Sequence, residues 1–209
     1  MEPIVYVVDD DNAVRQSIVR LLESEGYPSV DFPNADAFLS HPQASVPSAP
    51  SCLILDLNMP GIDGFDVTGV LKDRGRTLPI IFLTGYGTIP LTVRAMKAGA
   101  REFLTKPVEP ELLLAAVADA LTVAAEEFVQ QQEHFALRQR HQSLTPREQE
   151  VFELAINGLL NKQIAAELGV SEITVKVHRR RVMDKMQARS LADLVHAAGT
   201  LQISRSRSR

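Results

Sequence analysis

Five short apolar runs, separated by helical patterns, constrain this chain more than any other feature. IVYVV (4–8), CLIL (52–55) and PIIFL (79–83) are continuous rather than alternating, as strands covered on both faces require. SVDF (29–32) and EFL (102–104) complete the set. Between them lie four helical patterns: 13–25, with Val14, Ile18, Leu21 and Leu22 on one face and Gly26 as its stop; 34–40; 65–73; and 89–98, stopped by Gly99. Strand and helix alternate five times, which predicts an α/β domain: a doubly wound, five-stranded parallel sheet with helices on both faces.

In such a sheet a site belongs outside the carboxyl ends of the strands. Asp9 and Asp10 follow the first strand, Asp56 the third, Thr84 the fourth and Lys106 the fifth, so the topology brings all five to one edge. Three carboxylates meeting there would repel unless a cation sat among them. Hard oxygen ligands on short side chains suit a divalent ion that keeps some of its water, and magnesium is the expected one. Helix capping explains any one of these aspartates alone; it does not explain Asp56, Thr84 and Lys106 at three further strand ends. Asp11 fits the cap of the helix beginning near Ala13.

The net charge of −4 hides an asymmetry. Residues 1–123 carry 16 acidic and 9 basic side chains, whereas residues 144–209 carry 7 and 11. A polyanion partner would therefore meet the C-terminal part. The single cysteine, Cys52, lies inside an apolar run and reads as a packing residue, so no disulfide framework is expected. No apolar stretch approaches the length of a membrane span, and the first residues lack the pattern of a secretory signal, which makes the expected location cytoplasmic with no membrane partner.

From Glu109 a helical pattern runs far beyond one domain. Leu114, Leu121, Phe128 and Phe135 repeat every seven residues while their companion positions decay to Gln131 and Arg138. The expectation is a domain helix continuing as an exposed linker, with this seam either pairing with another chain or simply solvated. LTPRE (144–148) restarts the signal, with Thr145 as N-cap, Pro146 at the first helical position and Glu148 closing a capping box. Four helices are expected over 146–157, 161–168, 172–186 and 190–198. The second and third read as helix, Gly169 turn, helix: Ile164, Ala165, Leu168, Val170, Val175, Val182 and Met186 face inward, and Lys176, Arg179, Arg180 and Lys185 largely outward. The boundaries are set at 1–122 for the first domain, 123–142 for the linker, 143–200 for the all-α domain and 201–209 for a basic tail ending in SRSRSR, expected to be disordered.

The motifs VVDDD, LDLNMPGIDG, FLTGYG and FLTKP, in that order, resemble the flavodoxin-like receiver domain of two-component response regulators. LTPRE, GLLNKQIAAELGVSEITVKVH and RSLADLV are similar to the LuxR-type helix-turn-helix, and the combination resembles the FixJ/NarL group. The resemblance implies that Asp56 accepts a phosphoryl group from a sensor histidine kinase. It implies a magnesium site of Asp9, mostly through water, Asp10, Asp56 and the main-chain carbonyl of Asn58. Lys106 and Thr84 would meet the phosphoryl group, with a cis bond before Pro107. Thr84 and Phe103 would form the switch pair, and Asn58 and Tyr86 would border the path of the attacking water. Val93, Arg94, Lys97, Arg101 and Glu102 would lie on a face that pairs two receivers into a homodimer. In the second domain Lys176, Val177 and Arg180 would face base edges of double-stranded DNA, with Lys162, Thr174, His178 and Arg179 on phosphates or the groove edge. RNA polymerase is the further partner implied.

Two rival classes make different expectations. A magnesium-dependent phosphatase with an aspartyl nucleophile shares Asp56 but gives no reason for the helix-turn-helix. A ligand-sensing LuxR-type regulator calls for a large apolar pocket, which continuous buried strands do not suggest. The reading adopted is therefore a phosphoacceptor regulator of transcription, acting as an activator, rather than a turnover enzyme.

Overall fold

A computed structural model of the chain describes residues 2–42 and 48–203. Of the tail expected to be disordered over 201–209, residues 201–203 are instead tied to the preceding helix by main-chain hydrogen bonds, with Ile203 packed on the core of the second unit, and 204–209 lie outside the described residues. The chain forms two compact units, Met1–Val129 and Gln130–Arg209.

The first unit is built on five parallel strands: β1 (Ile4–Val8), β2 (Ser29–Phe32), β3 (Ser51–Asp56), β4 (Ile80–Thr84) and β5 (Glu102–Thr105). They lie in the order β2-β1-β3-β4-β5, every pair parallel. Helices α1 (Asn12–Ser24), α2 (Ala35–Leu39), α3 (Gly64–Asp73) and α4 (Ile89–Ala98) connect them, and α5 (Pro110–Gln142) follows β5. Successive strand residues point to opposite faces, which explains the unbroken apolar runs. Tyr6, Val8, Leu53, Leu55 and Phe82 pack with Phe38, Val67, Leu71 and Ala95 on one face. Val5, Val7, Cys52, Ile54, Ile81 and Leu83 pack with Ile18, Leu22, Leu113, Val117 and Ala120 on the other. Cys52 is a core residue, and burial pushes its thiol up to about 12.

Helix ends follow local chemistry. Asp11 caps α1 by accepting from the amides of Ala13 and Val14, and those bonds hold its carboxyl below the ordinary aspartate range. Gly99 ends α4 in the left-handed conformation at φ 98°.

The long helix α5 continues past the first domain as the sequence predicts, and its seven-residue repeat is buried only over the domain portion. Leu113, Ala116, Val117, Ala120, Leu121 and Ala124 form the buried line, while Leu114 is half-buried and Val129 and Phe135 are 55% and 61% exposed. Packing against the sheet follows the 3.6-residue period over the domain portion.

In the second unit α6 (Pro146–Ile156), α7 (Asn161–Leu168), α8 (Glu172–Met186) and α9 (Leu191–Thr200) follow the expected order. The Thr145–Glu148 capping box is present. Gly169 sits at φ 65°, where a side chain would be strained, and turns α7 into α8. Ile164, Ala165 and Val175 share a core with Val151 and Ala155, and Val182 and Met186 pack with Phe152 and Leu194. No helix among the described residues is long and apolar enough to cross a membrane.

Candidate functional site

The chain reverses its direction across the sheet between β1 and β3, so the loops after these strands diverge and leave a crevice. Asp9 and Asp10 enter it from β1 and Asp56 from the end of β3, and one carboxylate oxygen of each lies within 4.8 Å of the others. Asp9 and Asp56 are buried and Asp10 is exposed. Lys106, at the end of β5, reaches both buried acids, with Nζ 2.6 Å from Asp9 Oδ2 and 2.8 Å from Asp56 Oδ2. Desolvation pushes the Asp9 carboxyl above its ordinary range despite the lysine. The ammonium is stabilised the other way: burial opposes its charge, but the two carboxylates outweigh burial and raise its pKa.

The remaining oxygens are placed by main-chain donors. Asp11 N donates to Asp9 Oδ1 at 2.9 Å, and Asn58 N to Asp56 Oδ1 at 3.0 Å. Thr84 is fully buried, and its hydroxyl oxygen accepts from Asn58 Nδ2 at 3.0 Å and Tyr86 N at 3.2 Å. Phe103 is half-buried against the core face that holds Phe82. The Lys106–Pro107 bond is cis. Asp9, Asp10, Asp56, Thr84 and Lys106 thus share one end of the sheet, with Asn58 joined to both Asp56 and Thr84.

Three supports escaped the sequence reading. Arg15 on α1 donates to the main-chain oxygen of Asp9, to Asn12 and to Asp31, fixing the loop that carries the first two acids. Its spacing from Asp11 gives no hint of this, because Asp31 comes from another strand. The Asn58 carboxamide on Thr84 is equally non-local. Gly64 is the third: a Cβ there would stand 2.8 Å from the main-chain oxygen of Asp56 and 3.1 Å from Leu57 Cα. The second glycine of LDLNMPGIDG was the available signal. Gly64→Ala is expected to displace the end of β3 and lower stability by about 1–3 kcal/mol, read as a reduced urea midpoint; an unchanged midpoint would show that the loop yields freely.

In the second unit α8 buries Val175, Val182 and Met186 and turns another face outward. Ile173, Lys176, Val177 and Arg180 follow one another at helical spacing on that face, with Ile173 74% and Val177 47% exposed. Ile173 was missed by reading charge alone. Lys162 is exposed and Thr174 half-buried, its hydroxyl beside that of Ser171. His178 is half-buried, and Arg179 donates to Asn161 Oδ1 at 3.0 Å, which ties α8 to the start of α7. Lys185 departs from the outward placement expected of it. Its ammonium lies 2.6 Å from the buried Glu148 carboxylate and also donates to Ser143 O, because Glu148 of the capping box needs a counter-charge. Arg181 is exposed. Arg101 pairs with Asp119, and Arg94 lies over the Phe65 ring at 4.0 Å, so two residues expected on a pairing face are engaged within the domain.

The receiver-like geometry is matched by comparison. The family model described as response regulator receiver domain matches residues 5–118. The chain belongs to the response regulators. A second model, bacterial regulatory proteins of the luxR family, matches residues 142–198, so this response regulator carries a DNA-binding helix-turn-helix of that type. It is 45% identical to nodulation protein W of Bradyrhizobium diazoefficiens, over 96% of this chain and 87% of that one. It is 43% identical to response regulator protein TodT of Pseudomonas putida, over 96% and 87%. Among solved structures it resembles the response regulator StyR, with a TM-score of 0.82 and 46% identity over 95% of this chain and 99% of that one. The response regulator is thus a two-component regulator of transcription.

Proposed function

We propose that Asp56 is the phosphoacceptor and that its modification by a sensor histidine kinase switches on DNA binding. The observation that carries this reading is the convergence of Asp9, Asp10 and Asp56 beside a single ammonium. A carboxylate attacks phosphorus only when the charge developing on the transferred oxygens is neutralised. The donor set, three hard carboxylates with the Asn58 carbonyl nearby in sequence, fits a magnesium ion, which would supply that neutralisation when bound.

Lys106 holds the other share of positive charge. Asn58 N and Lys106 Nζ fix the two oxygens of Asp56 and so orient the nucleophile. The phosphoryl group adds nearly two negative charges. The Thr84 hydroxyl meets one of its oxygens only by giving up Asn58 Nδ2 and Tyr86 N, and Phe103 follows into the space vacated. The exposed side chains Ile89, Val93 and Met96 on α4 and Leu112 on α5 give the homodimer an apolar surface. Paired receivers bring two helix-turn-helix units onto a two-fold operator.

On DNA, Lys176 and Arg180 read base edges while Ile173 and Val177 offer methyl groups to thymine. Lys162, Thr174, His178 and Arg179 serve phosphates or the groove edge. We place the domains at 1–122 and 143–203, joined by a helical linker at 123–142 and followed by a basic tail at 204–209. We place the protein in the cytoplasm as an activator that meets RNA polymerase, and not as a turnover enzyme.

The test combines a small phosphodonor, magnesium and operator DNA selected from genomic fragments. Binding is expected to tighten with phosphodonor and to weaken roughly 10³-fold between about 50 and about 200 mM salt. Lys176→Ala should relax sequence preference by about 1–3 kcal/mol at one base position. A flat salt response, or binding indifferent to phosphodonor, refutes this reading.

A further inference from the structure

Arg76 is a buried cation without a counter-ion. It follows α3, is only 8% exposed, and donates one bond, from Nη2 to Ser51 Oγ at 3.3 Å. Its Nε and Nη1 are buried without a hydrogen-bond partner, and no carboxylate pairs with it among the described residues. Burial disfavours its charge, yet a guanidinium stays protonated in proteins. The nearby Tyr6 phenol is held neutral, since burial raises its pKa. An unpaired buried cation is costly, so the fold retains one where something compensates it.

The same side chain lines a cleft of about 670 Å³ between α3 and α4. Three more cations surround it, Lys72 from α3 and Arg94 and Lys97 from α4, and no acidic side chain lines it among the described residues. Leu71 and Ile80 give it an apolar floor. Arg94 is restrained at its edge by the Phe65 ring, 4.0 Å below the guanidinium. A solvated basic surface would account for the exposed lysines. It does not account for Arg76, which lines the same cleft while two of its donors stay buried without partners.

We propose that this cleft binds a small phosphate-bearing anion, at a site distinct from the carboxylate pocket. Its volume lies in the range of small-molecule sites, roughly 300–1,000 Å³. Four positive charges from two helices and the turn after α3 call for a multiply charged head, and guanidinium groups match phosphate oxygens well. The apolar floor takes the organic body that carries that head. The site stands independently of the role assigned to Asp56.

The test uses the full-length protein in metal-free buffer, where the carboxylate pocket repels anions. Inorganic phosphate, pyrophosphate and adenosine monophosphate are titrated by calorimetry and by thermal melting. Saturable one-to-one binding with a rise in Tm is expected for at least one of them. Tighter binding of the nucleotide than of inorganic phosphate would assign the floor to an organic body; equal binding would assign recognition to the head alone. The exposed double variant Arg94→Gln/Lys97→Gln, which leaves the core intact, should weaken binding about tenfold. Arg76→Met is expected to melt no lower than the wild type without anion and to lose the rise in Tm. Absence of saturable binding at millimolar concentrations, or a double variant that binds as tightly as the wild type, overturns the proposal.

Discussion

Asp56→Asn is expected to abolish uptake of the phosphoryl group from a small phosphodonor in the presence of magnesium. The amide keeps the shape of the side chain and still accepts from Asn58 N, so the end of β3 should stay in place. What disappears is the nucleophilic oxygen, together with one of three negative charges around the metal position. The variant should be at least as stable as the wild type without magnesium, because one buried charge has gone. Gel separation of the phosphorylated protein gives the readout, with DNA binding as a second. Removing magnesium from the wild type should give the same loss of uptake. If Asp56→Asn still labels at the wild-type level, the acceptor lies elsewhere and the proposed mechanism fails.

Lys106→Met should have the second largest effect, and on two quantities at once. The ammonium lies within 2.8 Å of oxygens on both Asp9 and Asp56, and its side chain is 18% exposed. Removing one partner of a buried pair leaves uncompensated charge and costs about 3–5 kcal/mol; partial exposure of the lysine places the expected loss at the lower end. Added magnesium should recover part of that stability in the variant. Phosphoryl transfer should fall by about 10²- to 10³-fold, the usual effect of losing one donor to a developing oxyanion.

The pH dependence has a definite sign. The folded pKa of Asp9 lies above its unfolded value, so the native state holds more protons, and stability falls as pH rises from the unfolded value through the folded one. Without Lys106 the Asp9 carboxyl rises further, and the variant should regain stability on mild acidification over a wider window. Lys106 itself, raised in the fold, contributes stability that is fully present below its unfolded pKa and lost as pH rises through the folded value. A variant whose stability matches the wild type at neutral pH without magnesium would show that the two carboxylates do not depend on this lysine.

Much of the receiver and its pocket was legible because the informative residues sit at fixed places in short, local patterns. A short continuous apolar run with no polar break announces a doubly covered strand, and parallel strands deliver their last residues to one edge whatever the details of packing. That logic alone brought Asp9, Asp10, Asp56, Thr84 and Lys106 together. The magnesium assignment followed from repulsion among carboxylates, and the Thr145–Glu148 box from the needs of orphan amides at a helix start. Motif order supplied the family, and with it the role of Asp56.

Tertiary structure decided what depends on residues far apart in the chain. Lys185 looks outward on a helical projection, yet Glu148 on another helix draws it inward. Arg179 is drawn to Asn161 in the same way. The line of α5 buried on the sheet, Leu113, Ala116, Val117, Ala120, Leu121 and Ala124, is wider than its seven-residue repeat. Arg15, the Asn58 carboxamide and Arg76 act through partners 16 to 26 positions away, on other elements. Periodicity describes which face of an element is apolar; it cannot say which charge on a neighbouring element will be within hydrogen-bond reach. The sequence by itself thus determined the architecture and the acidic pocket of this response regulator. Only packing of α3 and α4 against the sheet could put Arg76, with two donors buried and unpartnered, in the lining of a cationic cleft.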